Sequence, residues 1–437
     1  MKQTQKYLKQ VGAVVALASL IALAGCSGSS GSGGTKDSSG DGGSFEGRGP
    51  ITYVQGKDNA GKLQALMDQW NEKHPDEKVT MIELSTEADQ QRQSMVNNAQ
   101  TKSDAYCVLS VDNIYVPEFA AHRWIDELPA DEFAVDKFLK PVWETGQYLG
   151  KTYAIPHSSD GGLLYYRKDI LAKAGITTVP ATWEDMIKAW EAVKALPEYA
   201  TIGGYAGQFF KYEGLTVNAS EVINSQGGKF LDDSGKVAID TPEAAAGLKF
   251  LVDGFASGFI PKEALTYKEE EGRAAFEAGR IIFYRNWPYQ YSLNEKAIGA
   301  DAFGVTSLPT LAGKPLASTL GGHNVAISSF CKNKATALDF MKWYSDAEAQ
   351  KYTLKEESLA PVYGEIYDDA EMTKLYPYLP ALKASIENAQ PRPRAVKYGD
   401  FSAAIQDAVT PVLQGEATPE EALATMQKSL EAIVSKG

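Results

Sequence analysis

The sequence predicts an α/β protein of two lobes with a ligand cleft between them. Three observations carry this: short apolar strand-like runs alternate with helical ones, the helices carry explicit start signals, and 437 residues exceed one ordinary core. A composition of 44% hydrophobic, 10% aromatic and 23% charged residues supplies enough apolar mass for sizeable cores. The formal net charge of −13 argues against nucleic acid as a partner, because such binding rests on neutralising phosphates.

At the N-terminus, Lys2, Lys6 and Lys9 precede an apolar run from Val11 to Ala24 that ends in Leu23-Ala24-Gly25-Cys26. The run is too short to span a bilayer and reads as an export signal, residues 1–25. The closing box resembles the bacterial lipoprotein lipobox, which implies cleavage before Cys26, acylation of its thiol and attachment to a membrane. An ordinary secretory signal with a chance cysteine is the alternative. Residues 26–49, rich in Ser and Gly, are expected to form a flexible tether. With Cys26 acylated, Cys107 and Cys331 remain. Both adjoin apolar strand-like runs, and although an exported protein permits a disulfide, two buried thiols are expected.

In the body, Ile51 to Gly56 reads as a strand. A helix follows to Lys73, with Leu63, Leu66, Met67 and Trp70 on one face. Lys78 to Leu84 is a strand, Thr86 to Gln100 a polar helix, and Ala105 to Val111 a strand ending at Asp112. Thr182 with Asp185 caps a helix stopped by Pro197. Thr241-Pro242 opens another, with Leu248, Leu251, Val252 and Phe255 inward and Gly258 past its end. Thr418, Pro419 and Glu421 open the last, burying Leu423, Met426, Leu430 and Ile433. Strand-like runs lie at Leu163 to Arg167, Arg280 to Arg285 and Asn324 to Ser328. Asp232 to Gly235 reads as a hairpin turn.

No nucleotide-loop, zinc-protease, Cys-x-x-Cys or nucleophile-elbow motif occurs, and the four histidines are scattered, so neither cofactor nor metal is expected. A glycoside hydrolase needs only two suitably spaced carboxylates and stays open as an alternative. A lipoprotein adhesin is a third. The positive signal is aromatic. Arg285-Asn286-Trp287-Pro288-Tyr289-Gln290-Tyr291 follows an apolar strand and combines rings that cover a sugar face with groups that bond its hydroxyls. Core packing at the lobe junction is the competing account of Trp287.

Taken together, six segments resemble the extracellular solute-binding proteins of ABC sugar importers, family 1, particularly the trehalose/maltose-binding branch. They are Asp160 to Asp169, Tyr212 to Leu215, Tyr267 to Arg273, Arg285 to Tyr289, Thr319 to Ser328 and Glu387 to Pro393. The resemblance covers most of residues 50–437 and implies a periplasmic-binding-protein-like fold with crossing hinge strands. The N-terminal lobe would comprise 50–157 and 303–347, and the C-terminal lobe 158–302 and 348–437. It further implies a monomeric receptor on the outer face of the cytoplasmic membrane. That receptor would capture an α-linked di- or oligosaccharide without breaking a bond and deliver it to the transmembrane subunits of an ABC permease.

By the same resemblance Trp287 is the stacking platform with Tyr289 beside it, Asp112 and Asp160 accept hydroxyl hydrogens, and Arg392 donates. Gly321 and Gly322 let backbone approach the sugar ring. The alternatives are local: a turn or cap role for Asp160, a lysine partner for Asp112, and an ion pair of Arg392 with Glu387 or Asp400. Tyr212 and Glu213 are candidate wall residues. Lys57, beside Asp58, is a candidate contact, although a solvated turn explains it more simply. Tyr267 to Arg273 is expected to be a solvated helix face. His323 stands where the branch often has Trp, and Ser158 where an aromatic often precedes the aspartate. Both reduce stacking area and point toward a sugar held more by hydrogen bonds at one end. If His323 lines the cleft, its protonation would vary affinity between pH 5 and 8; a core histidine is the other reading.

Overall fold

A computed structural model describes residues 45–232, 234–310 and 317–435. The export signal, Cys26 and most of the tether lie outside the described residues. The expected tether ran to residue 49, but Phe45 packs on the core and Arg48 pairs with Glu77 (3.0 Å) and Asp339 (2.7 Å). Gly47, at φ +80°, lets the chain press on the Lys332 carbonyl, where a Cβ would stand 2.2 Å away. These residues belong to the folded body.

Among the described residues, nine strands build the two larger sheets, and Gln147–Tyr148 pairs with Lys151–Thr152 in a small separate one. In chain order the nine are β1 (Ile51–Gln55), β2 (Val79–Glu83), β3 (Val108–Asp112), β4 (Ile155–Asp160), β5 (Leu163–Arg167), β6 (Gly203–Ala206), β7 (Ile281–Asn286), β8 (Phe303–Ser307) and β9 (Gly321–Ile327). The first sheet runs β2-β1-β3-β9-β4, with β1 parallel to β2 and β3, and β9 antiparallel to β3 and β4. The second runs β8-β5-β7-β6, with β6 and β7 parallel and β5 antiparallel to both its neighbours.

Helices cover these sheets where their apolar faces demand it. Among them are α1 (Leu63–Lys73), α2 (Ala88–Gln100), α3 (Trp183–Lys194), α4 (Glu213–Gln226), α5 (Pro242–Ser257), α6 (Glu269–Glu277), α7 (Lys334–Tyr344), α8 (Ala347–Glu357), α9 (Tyr398–Gln414) and α10 (Pro419–Val434). The expected caps are present. Thr182 accepts from the Asp185 amide (3.1 Å), Thr241 from Ala244 (3.2 Å), and Thr418 with Glu421 forms a reciprocal box. Along α5, Leu248 and Leu251 are buried, while Val252 and Phe255 are only half-buried. The hairpin at Asp232 closes through its amide on the Lys236 carbonyl (2.8 Å), with Gly235 at φ +80°.

α1, α7 and α8 pack together on the first sheet, whereas α4, α5, α9 and α10 form a helical layer on the second lobe. The chain crosses between sheets at Asp160-Gly161-Gly162, again between β8 and β9, and a third time after α8. Strand β8 pairs with β5 throughout, so residues 303–307, expected in the first lobe, belong to the second sheet. α8 likewise packs on α1 in the first lobe, ten residues beyond the expected boundary at 348. The first crossing explains its glycines. A Cβ on Gly161 would meet Ser385 Oγ at 2.5 Å, and one on Gly162 would meet Glu221 Oε1 at 2.7 Å.

The expectation of two free thiols is overturned: Cys107 and Cys331 form a disulfide with Cα atoms 4.6 Å apart. Cys107 leads into β3 and Cys331 follows β9, and the antiparallel register of those strands returns one to the other across 224 residues. Only strand pairing, invisible in either local run, places the two sulfurs together.

Candidate functional site

At one edge of the first sheet, β1, β3 and β4 end at Gln55, Asp112 and Asp160, while the antiparallel β9 begins there, Gly321 facing Asp160 and His323 facing Asp112. The second lobe brings the end of β7 and the N-termini of α4 and α6 to the opposite side. Between them lies a cleft of about 410 Å³. Strand ends and helix starts are where α/β folds leave backbone and side chains free for ligands.

All ten candidate residues line this cleft. Trp287 is half-buried in the second-lobe wall, its amide bonded to Asn286 Oδ1 (2.7 Å) and its carbonyl to the Tyr165 hydroxyl (2.8 Å). Beneath it the Arg285 guanidinium lies 3.8 Å from the ring centre. Arg285 is completely buried and held by Glu221 through two bonds of 2.9 and 2.5 Å, so the platform has a fixed cationic support. Tyr289 donates to Glu270 Oε1 (2.9 Å). The glycine at 321 serves a different ring from the one expected. A Cβ there would stand 3.0 Å from Trp287 Cζ3 and 3.0 Å from Asp160 Cβ, so it makes room for the indole and the carboxylate. Gly322, at φ +112°, avoids the Ser158 carbonyl across the strand, where a Cβ would come within 2.5 Å.

Asp160 stands beside that indole. Burial first, and then the Asp112 charge, raise its carboxyl to about 7, against the pull of Arg285 and Arg392. Asp112 has no lysine partner: it accepts from Arg392 Nη2 at 2.9 Å. Arg392 in turn pairs with neither Glu387 nor Asp400. Its Nη1 bonds Glu213 Oε1 at 2.8 Å, and its Nε has no protein partner. Glu213 also accepts from Tyr398 and Ser402, each at 2.6 Å. Burial lifts it to about 7 although Arg392 opposes the rise. Arg392 thus bridges the first lobe at Asp112 and the second at α4. The Tyr212 hydroxyl is buried beside the Glu269 carboxyl without completing a hydrogen bond.

His157 and Ser110 form a neutral, hydrogen-bonding part of the first-lobe wall. His157 Nε2 and Ser110 Oγ are 2.9 Å apart, and burial lowers His157 to about 3. His323 is half-exposed to the cleft and therefore not a core histidine, yet burial lowers it too, more than Asp112 raises it. A lowered value moves the protonation of the imidazole toward the acid side of its ordinary range. Lys57 is exposed at the rim and bonded to Glu83 at 2.7 Å, a solvated turn that also lines the opening. Its neighbour Asp58 is buried and caps α1 through the Gly61 (2.7 Å) and Leu63 (2.9 Å) amides.

Tyr267 to Arg273 is not the solvated face expected. Lys268, Glu269, Glu270 and Glu271 lie in the cleft wall at the start of α6, and burial raises Glu269. The charge run masked this; the available signal was its place at a helix N-terminus. Glu87, His157, Ser110 and Glu357 were also missed. Glu87 and Glu357 lie at helix ends and Ser110 and His157 inside β3 and β4, and only the tertiary fold brings them to the cleft. Burial, followed by the neighbouring Asp58, raises Glu357 to about 8. Among the described residues no group of three or more His, Cys, Asp or Glu is placed to hold a metal, and no helix is long and apolar enough to cross a membrane.

Residues 55–351 match the family model described as bacterial extracellular solute-binding protein. A "Probable ABC transporter-binding protein" of Deinococcus radiodurans is 32% identical over 374 residues, covering 82% of this chain and 87% of that protein. The maltose-bound T. maritima MalE3 structure is 31% identical with a TM-score of 0.83, covering 88% of this chain and 99% of that one. The GacH receptor of Streptomyces glaucescens, solved unliganded and with acarbose and an acarbose homolog, has a TM-score of 0.79 at 21% identity. It covers 89% of this chain and 99% of that one, and shows the shared fold.

Proposed function

The chain belongs to the bacterial extracellular solute-binding protein family, and from that premise we propose that it captures an α-linked di- or oligosaccharide in the interlobe cleft and delivers it to an ABC permease. Such proteins bind their solute and hand it on, so the hydrolase alternative falls away. The observation that carries the sugar reading is Trp287, an indole fixed on Arg285 in the cleft wall with the Asp160 carboxyl beside it. A ring packs on the apolar face of a pyranose at about 0.5–1.5 kcal/mol beyond area, and a charged group bonding its hydroxyls adds about 1.5–3 kcal/mol. The likeness to a maltose-bound relative at 31% identity supports an α-linked ligand.

Attachment through Cys26 belongs to the same proposal. The pairing of Cys107 with Cys331 leaves Cys26 as the cysteine available for acylation.

Calorimetric titration of the chain from Ser27 onward against trehalose, maltose, sucrose, raffinose, isomaltose and maltotriose tests the reading. We expect saturable binding of at least one sugar, recovered intact. Absence of binding to the whole panel would refute the α-linked assignment, and released reducing sugar would restore the hydrolase.

A further inference from the structure

Besides Arg392, a second contact in the cleft wall passes from one lobe to the other. Lys268, just before α6, meets Glu87, just before α2, with Nζ and Oε1 2.6 Å apart. The two side chains are 25% and 24% exposed, so the pair is neither sealed in the core nor loose on the surface. Each end is steadied by its own lobe. Gln90 donates to the other Glu87 oxygen (3.0 Å), and the Lys268 ammonium stands 4.7 Å from the Phe210 ring centre. The Lys268 amide bonds Glu271 at the start of α6, which fixes where the side chain departs. Two side chains in contact across a cleft leave no passage for a pyranose ring at that point.

We propose that Lys268 and Glu87 set the length of saccharide the cleft accepts. The inference rests on the proposed saccharide ligand. With the pair closed, the cavity of about 410 Å³ is bounded on this side and takes a short chain. An additional sugar unit running toward α2 requires the ammonium and carboxylate to part, so longer chains lose affinity in proportion to the strength of the pair. Lys268 and Glu87 are then length-determining residues, separate in role from the indole that stacks and the carboxyls that bond.

The test is calorimetric titration with maltose, maltotriose and maltotetraose, and with isomaltose, isomaltotriose and isomaltotetraose. The proteins are wild type, Lys268→Ala, Glu87→Ala and the double exchange Glu87→Lys/Lys268→Glu. In wild type we expect the disaccharide of the binding series to exceed its tetrasaccharide by about fivefold or more. Either alanine variant should raise the tetrasaccharide-to-disaccharide affinity ratio by about the same factor, and the double exchange should restore the wild-type ratio. A wild-type protein that binds tetrasaccharide as tightly as disaccharide, or variants that weaken every length equally, would overturn the length role while leaving the carbohydrate reading intact. Failure of both series, with trehalose, sucrose and raffinose also unbound, would overturn the two together; binding of one of those three alone would overturn the length role only.

Discussion

Two buried arginine–glutamate pairs lie within this cleft's reach, and they do different things. Arg285 and Glu221 are sealed inside the second lobe: the guanidinium is fully buried, makes two bonds to one carboxylate, and receives Gln208 as a further partner at 3.2 Å. Arg392 is almost as buried but divides its donors between Glu213 of the second lobe and Asp112 of the first. The sealed pair holds an indole in place whatever the lobes do. The divided one links them and must release Asp112 if the cleft opens. The same chemistry therefore becomes a platform or a joint according to whether all of the arginine's partners belong to one lobe.

Removing one acid from each pair should break the symmetry most visibly. Glu221→Ala strands a buried cation and is expected to cost about 3–5 kcal/mol in urea unfolding. Glu213→Ala leaves Arg392 its Asp112 and Asn113 partners and should cost about 1–3 kcal/mol. Equal losses would mean that the divided pair is as structural as the sealed one. Next in size, Trp287→Ala should weaken binding of whichever sugar the panel identifies by about tenfold or more, roughly 1.4 kcal/mol. It should do so with the melting temperature nearly kept, since the Arg285–Glu221 bonds survive. Unchanged affinity would move the platform elsewhere.

A last prediction concerns the pH dependence that Asp160 gives to stability. Burial holds its carboxyl at about 7, above the ~3.9 of an unfolded chain, so between those values the folded state binds the extra proton. Its contribution to stability therefore falls as pH rises from about 4 to 7 and levels off above. The slope for one such group is at most about 1.4 kcal/mol per pH unit. Urea unfolding at pH 5, 6 and 7 should show Asp160→Asn losing less stability with rising pH than wild type; parallel curves would show that Asp160 does not titrate there.

The legible parts of the molecule were those in which each residue speaks for its own segment. Thr418 with Glu421, Thr182 with Asp185 and the apolar face of α1 announce their helices because capping and amphipathic burial act over three or four residues. Helix α4 announced nothing: twelve of its fourteen residues are buried, so no polar stripe marks its period. Trp287 and Asp160 were readable as cleft residues through the motifs around them. The charge run at Lys268 to Glu271 misled because high charge ordinarily marks solvent, and here it marks a helix start turned into the cleft.

The sequence by itself determined the alternation of strands and helices, their starts and stops, and the aromatic segment that carries the sugar reading. Those are consequences of local hydrogen bonding and periodic burial. The tertiary structure alone decided that Cys107 meets Cys331, that Arg392 joins Asp112 to Glu213 rather than to Glu387 or Asp400, and that β8 belongs with the second sheet. Each of these links residues far apart in the chain. Such pairings are set by strand register and by the crossings at Gly161-Gly162 and beyond β8, which place opposite charges and sulfurs within reach only after both sheets exist.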